Sequence, residues 1–173
     1  MYSSERNVQM LLALLKAHKI KKMVLSPGSA NASFVASAQY DGEFELYSSV
    51  DERSAAYIAC GLAEESQEPV VICCTGATAS RNYMPGLTEA YYRKLPIVAV
   101  TATRPSAWLG QNRDQLIDRT VIPNDIAVKS VHLPVILNEQ EEWECNLKIN
   151  DALMELYRNG RGPVHINLTT SYS

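Results

Sequence analysis

The run PVVICCTGATAS, residues 69–80, decides the fold. Val70 to Cys74 are apolar without a break. A strand apolar on both faces is what a parallel sheet covered by helices on each side requires. Pro69 opens the run, where a missing N–H costs least. The run closes on Thr75-Gly76-Ala77-Thr78-Ala79-Ser80, a loop of small and hydroxyl residues. Two later runs repeat the plan, one from Pro96 through Val100 and one from Pro163 through Leu168. Each opens on proline and each predicts another buried strand.

Helical patterns fill the intervals. Val8, Leu11, Leu12 and Leu15 follow the spacing of one helical face. Lys22 to Leu25 predicts a short strand, and residues 26–29, Ser-Pro-Gly-Ser, turn sharply off its end. A helix over 31–39 carries Phe34 and Val35, and Asp41-Gly42 turns the chain into a strand near Phe44, Leu46 and Tyr47. Asp51 and Glu52 then open a helix whose apolar face is Ala55, Ala56, Ile58, Ala59 and Leu62. A further helix runs through Tyr83, Leu87, Ala90 and Tyr91. Residues 108–123 read as a loop with a short helix, followed by a strand near 127–131. Asn138, with Glu141 three residues on, caps a helix striped by Cys145, Ile149, Ala152, Leu153 and Leu156. Strand and helix alternate throughout, so the fold class is α/β: a doubly wound, mostly parallel sheet with helices on both faces. At 173 residues the chain is a single domain, 1–173.

Composition narrows the function. A net charge of −3, with Lys16, Lys19, Lys21 and Lys22 as the one basic cluster, argues against nucleic acid and anionic membrane as partners. No apolar run is long enough to span a bilayer, and no signal-peptide pattern is present. Cys60, Cys73, Cys74 and Cys145 form no C-x-x-C pair and read as buried free thiols of a reducing, cytoplasmic compartment. His18, His132 and His165 are scattered and suggest no metal site.

Ligands of such sheets bind beyond the carboxyl ends of the strands. That rule gathers residues 26–31, 49–52, 75–80 and 101–105 on one edge. The usual phosphate-binding and hydrolase motifs of the fold are missing. What the edge does carry is small residues, hydroxyls and one well-placed acid, Glu52. Two readings of the acidic pair stay open. Asp51 and Glu52 can be a helix cap that complements the dipole, or Glu52 can be a working carboxylate.

Three stretches in order bear on that choice: VLSPGSANASFVA (24–36), SSVDERSAAYIACGLAEES (48–66) and PVVICCTGATASRNYMPGLTEAYYRKLPIVAVTATRP (69–105). Together they resemble the pyrimidine-binding, amino-terminal domain of thiamin-diphosphate-dependent enzymes, and the likeness extends from Val24 to Leu168. The resemblance implies a decarboxylase or carboligase acting on a 2-oxo acid. It implies that Glu52 is catalytic, contacting N1′ of the cofactor's aminopyrimidine, with a pKa raised by burial. It also implies that Pro27, Gly28, Thr75, Gly76, Thr78 and Asn82 lie against thiamin diphosphate. Ser29, Asn31, Arg104 and Gln111 are then expected on the substrate side, with Gln115 competing for the role of Gln111. Small residues of the 51–66 helix (Ala55, Ala56, Ala59, Gly61) are expected to pack against a symmetry mate, giving a homo-oligomer.

Within the family the Ser-Pro-Gly-Ser turn, the Asp-Glu-Arg triplet and Arg104-Pro105 are most like the branch that joins 2-oxoglutarate to isochorismate in menaquinone synthesis, the SEPHCHC synthases. That branch continues the turn with an arginine that holds a substrate carboxylate, where this sequence has Ala30. The Gly-Asp-Gly and asparagine that bind Mg2+ in the family's diphosphate-binding domain do not occur here. Mg2+ and the diphosphate are therefore expected on a domain outside this sequence, in cis or in trans. With the last predicted strand close to residue 173, an excised amino-terminal domain is the expectation.

Overall fold

A computed structural model describes residues 2–171. The expected span of 1–173 reaches Met1, Tyr172 and Ser173, which lie outside the described residues. In chain order the elements are α1 (Arg6–Ala17), β1 (Lys22–Leu25), α2 (Ala32–Asp41), β2 (Glu45–Ser48), α3 (Glu52–Ser66), β3 (Val70–Cys74), α4 (Thr78–Asn82), α5 (Met84–Arg93), β4 (Ile97–Thr103), β5 (Lys129–Leu133), α6 (Glu139–Glu155) and β6 (Val164–Thr169). The strands form one sheet in the order β2-β1-β3-β4-β6-β5. Every neighbouring pair is parallel, where the sequence predicted a mostly parallel sheet.

Alternation along the strands builds two cores. Met23, Leu25, Val71, Cys73, Val98 and Val100 point to one face and meet Leu11, Leu12 and Leu15 of α1, Phe34 of α2 and the Cys145–Ile149–Leu153 stripe of α6. Each of these fully buried leucines contributes about 1.5–3 kcal/mol over an exposed one. Val24, Val70, Ile72, Cys74, Ile97 and Ala99 point the other way, against α3 and α5. Pro69, Pro96 and Pro163 stand immediately before β3, β4 and β6, as the sequence predicts.

The outward differences have local causes. The helix expected through Tyr83 and Tyr91 is split at Tyr83, because Pro85 in the first turn of α5 lacks the N–H that would continue α4. β4 runs on to Thr103, so only Arg104 and Pro105 of the expected 101–105 segment are loop. β5 begins at Lys129 rather than 127. The short helix expected within 108–123 is not formed: the one helical turn nearby, a 3-10 turn at Ser106–Trp108, reaches only its first residue, and residues 109–123 are turns and irregular chain.

α3 buries Ala55, Ala56, Ala59, Cys60 and Ala63. Its small residues face α5 within the same chain: a Cβ on Gly86 would stand 2.5 Å from the Ala56 Cβ. Gly61 instead meets open space, and Ile58, expected on the inner face, is 44% exposed.

The second face of the sheet continues past Thr101 onto β6 and β5. A polar layer lies there under residues 109–128. Ser130 Oγ and Thr101 Oγ1 each sit 2.7 Å from a ring nitrogen of His165. Thr101 Oγ1 donates to Asn167 Oδ1 at 3.1 Å, and Asn167 Nδ2 lies 2.9 Å from His132 Nδ1. Burial, assisted by the charges of Arg119 and His132, pushes His165 down to about 3. An unfolded chain takes up that proton below about pH 6.5, whereas the native state does not, so stability falls as pH drops from there toward 3. The expected slope from this residue is about 1.4 kcal/mol per pH unit, with no contribution above pH 6.5. Urea unfolding at pH 7 and pH 5 will show a smaller acid loss for His165→Gln than for the wild type; equal losses would contradict the assignment.

Candidate cofactor site

Parallel pairing sends the loops after β2, β1, β3 and β4 to one edge, and the expected segments meet there. The turn after β1 is held from below. Asn31 is fully buried; its Oδ1 accepts from Gly28 N at 2.7 Å, and its Nδ2 donates to Ser26 O at 3.1 Å and to Cys73 Sγ at 3.5 Å. From β3, Thr75 Oγ1 accepts from Ala30 N at 3.1 Å. Gly28 is needed for this fit, since a Cβ there would lie 2.5 Å from the Thr75 Cβ. The Asn31 side chain is thus bonded within the turn, beneath the edge where the resemblance puts a substrate-side residue.

The loop after β3 is strained. Ala77 has φ 47 and ψ −117, a conformation that costs a residue with a Cβ on the order of 1–3 kcal/mol. Ser80 Oγ donates to Ala77 O at 2.7 Å and holds it. Gly76 lies so close to the backbone of Gln115 that a Cβ would meet Gln115 O at 2.7 Å. A cavity of about 150 Å3 opens beside this contact. Ser29, Ala30, Thr75, Gly76 and Arg104 line it, joined by Thr103, Asp114 and Gln115. Arg104 and Asp114 also border a wider recess of about 370 Å3, whose wall includes Trp108 with the Arg113 guanidinium 5.3 Å from its ring centroid. Of the two competing glutamines, Gln115 reaches the cavity and Gln111 does not. Arg104 is buried, with Nη1 donating to Thr170 O at 3.1 Å.

Glu52 occupies the first turn of α3, directly after the N-cap Asp51, whose carboxylate accepts from Ser54 N at 2.6 Å. Those Ser54 contacts hold the exposed Asp51 carboxyl below its ordinary value. Asp51 is therefore the cap and Glu52 is left over. Among the described residues no hydrogen bond or ion pair engages the Glu52 carboxylate, which is only partly buried, so the burial expected of it is not supplied within this chain. Its charge reaches Cys74 at the end of β3. Thr78 and Asn82 are exposed on α4, and Pro27 is exposed on its turn; none of the three lines the cavity.

Thiol chemistry is absent from this edge. All four cysteines are free and buried. Burial pushes Cys73 up to about 12 and Cys60 and Cys145 up to about 11, so they stay protonated. Among the described residues no cluster of His, Cys, Asp or Glu could hold a metal ion, and no helix is long and apolar enough to cross a membrane. The sequence does not single out Ala77 or Asp114, because an alanine at positive φ and an acid in an irregular loop leave no local signal.

Residues 6–122 match the family described as thiamine pyrophosphate enzyme, N-terminal TPP binding domain, and the chain belongs to that family. It is 45% identical over 171 residues to a 2-succinyl-5-enolpyruvyl-6-hydroxy-3-cyclohexene-1-carboxylate synthase of Bacteroides thetaiotaomicron, and 38% identical over 169 residues to one of Porphyromonas gingivalis. The first match covers 99% of this chain and 31% of the relative; the second covers 97% and 29%. The chain thus spans about a third of the length of the curated relatives it matches. The thiamine diphosphate-dependent 4-hydroxybenzoylformate decarboxylase of Rhodococcus jostii RHA1 superimposes with a TM-score of 0.81 at 20% identity, over 94% of this chain and 30% of its own, and shares the fold.

The Asn31 bonds make a prediction. Asn31→Ala leaves Gly28 N without its acceptor in a buried place, and is expected to cost about 1–3 kcal/mol of stability, read by urea unfolding. A change below about 0.5 kcal/mol would return Asn31 to a role outside the turn.

Proposed function

We propose that this chain supplies the pyrimidine side of a thiamin-diphosphate-dependent decarboxylase or carboligase acting on a 2-oxo acid, with Glu52 as the residue that engages N1′ of the aminopyrimidine. The observation that carries the reading is the Glu52 carboxylate: set on the first turn of α3 at the ligand edge, relieved of capping by Asp51, and without a partner among the described residues. The residues fit the group. Gly28 and Gly76 bring backbone to the edge in places where a Cβ would clash, and Thr75 ties the two loops together. When bound, the cofactor supplies the stabilised carbanion that 2-oxo acid chemistry needs. Glu52 would share a proton with the ring nitrogen, and the closely packed α3 holds that carboxylate in place. Pro27, Gly28, Thr75 and Gly76 would bound the pyrimidine, whereas Thr78 and Asn82, on exposed α4, would face whatever covers this edge. A carboxyl that shares a proton works best when desolvated, so the missing burial is assigned to a covering domain, which would also hold Mg2+ and the diphosphate. A second copy of the chain on the outward side of α3, where Tyr57 and Ile58 are exposed, belongs to the same proposal, as does a cytoplasmic setting.

In the full-length enzyme Glu52→Gln is expected to lower kcat on the order of 10²–10⁴-fold while cofactor affinity changes little. Turnover within a few-fold of the wild type would sink the assignment.

A second reading, a SEPHCHC synthase, is favoured by the names of the relatives. Ala30 speaks to it. Its methyl group lies on the 150 Å3 cavity beside Arg104 and Asp114, in the place where the resemblance puts an arginine. A guanidinium there would bind a carboxylate through paired charge-assisted bonds, which alanine lacks, and Asn31 is buried beneath the turn and cannot replace it. Losing one such bond, about 1.5–3 kcal/mol, corresponds to roughly tenfold or more in recognition. With 2-oxoglutarate and isochorismate the full-length enzyme is expected to turn over poorly, and Ala30→Arg to raise kcat/KM about tenfold. Efficient turnover by the unmodified enzyme with no gain from arginine would make it a SEPHCHC synthase.

A further inference from the structure

Ala77, at φ 47 and ψ −117, holds a backbone conformation whose ordinary occupant is glycine. Such a conformation persists where its surroundings over-determine it. Ala77 O accepts twice from Ser80, from the backbone N at 3.2 Å and from Oγ at 2.7 Å. A serine that bonds back within its own turn is common and by itself means little. Ser80 differs in what reaches it from outside. Arg119, in the segment between β4 and β5, is only 4% exposed, and its Nε donates to Ser80 Oγ at 2.7 Å. A hydroxyl has one hydrogen and two lone pairs. With Arg119 Nε–H on a lone pair, that hydrogen is left for Ala77 O, and the cationic donor strengthens the bond it makes.

Arg119 is itself braced by the sheet. Its Nη1 donates to Ala102 O on β4 at 3.1 Å and to Asn167 Oδ1 on β6 at 3.3 Å. Asn167 Oδ1 also accepts from Thr101 Oγ1, and Asn167 Nδ2 lies 2.9 Å from His132 Nδ1, so this acceptor is fixed from both ends of its amide. The bonds thus run from β4 and β6 through Arg119 and Ser80 to one strained carbonyl. Four residues before Arg119, Gln115 stands so close to Gly76 that a Cβ there would meet Gln115 O at 2.7 Å. Arg119 therefore holds both partners of that approach: the 75–80 loop through Ser80, and the 109–128 segment by belonging to it.

We propose that Arg119 and Ser80 are positioning residues for the candidate cofactor edge, an assignment that rests on the proposed cofactor reading. They touch no ligand. Together they keep Ala77 in a conformation that an unbraced alanine leaves, and so keep Thr75 and Gly76 where the pyrimidine would lie. Without the Ser80 hydroxyl the loop populates relaxed conformers. A cofactor then binds only the competent fraction, and its apparent Kd rises by the inverse of that fraction. Strain of the size usual at such positions corresponds to about tenfold. Glycine carries no such strain, so Ala77→Gly makes the brace dispensable.

The test compares full-length wild type, Ser80→Ala and the double variant Ser80→Ala, Ala77→Gly. Without cofactor, deuterium uptake over residues 75–82, read by mass spectrometry, is expected to be several-fold faster in Ser80→Ala and to return toward wild type in the double variant. With thiamin diphosphate and Mg2+, the half-saturating cofactor concentration is expected to rise about tenfold in Ser80→Ala while kcat at saturation stays within a few-fold. A general loss of stability does not produce that split, nor its reversal by Ala77→Gly. If Ser80→Ala does not fold, Arg119→Gln, which removes the Nε donor, serves in its place with the same expected shifts. Unchanged uptake, or a defect that Ala77→Gly does not reverse, would overturn the brace. Failure of the wild type to bind thiamin diphosphate would instead contradict the cofactor reading, and the uptake measurement would still decide whether Ser80 holds the loop.

Discussion

The parallel pairing of β1 with β3, Lys22 to Val70 through Leu25 to Cys73, is the constraint on which the functional edge depends. Parallel neighbours cannot be joined by a tight turn, so the chain leaves each strand at the same end and returns through a helix. The register then brings the Ser26–Asn31 turn against Thr75, close enough that only glycine fits at position 28. Asn31 fastens that contact from beneath with bonds to Gly28, Ser26 and Cys73. Thr170, past the end of β6, adds a bond from its hydroxyl to Ala30 O at 2.6 Å, so the ends of β1, β3 and β6 share one rim.

That rim explains how a half-site can be ready without its ligand. Asp51 and Glu52 divide the work of a helix start: the first satisfies an orphan N–H and the second keeps its carboxylate open. On the proposed reading, what this acid does depends on what completes the edge, and the chain spans about a third of the length of the relatives it matches.

Much of this was legible in the residues. Runs such as Val70–Cys74 suit strands of a parallel sheet, which accept apolar side chains on both faces, and their flanking prolines and short length favour strand over helix. The Asn138–Glu141 cap and the Cys145–Leu153 stripe gave α6 its ends and its face. The misses came where tertiary contact overrides local pattern. Ile58 fits the inner stripe of α3 by spacing, yet the close approach of Ala56 to Gly86 rotates it outward. Asn31 reads as a substrate-side residue at the start of a helix, and its burial exists only once β3 lies beside β1. Arg119 sits in a stretch that reads as a loop with a short helix, and its burial comes from tertiary contacts with Ser80, Ala102 and Asn167.

The central claim is that Glu52 acts on the cofactor and not merely on the helix. The most direct measurement is the rate of hydrogen–deuterium exchange at C2 of thiamin diphosphate bound to the full-length enzyme, followed by acid quench and NMR, for the wild type and Glu52→Gln. The account predicts exchange slower on the order of 10²–10⁴-fold in the variant with cofactor still bound. Equal exchange rates in the two proteins would contradict it and leave Glu52 as part of a helix start.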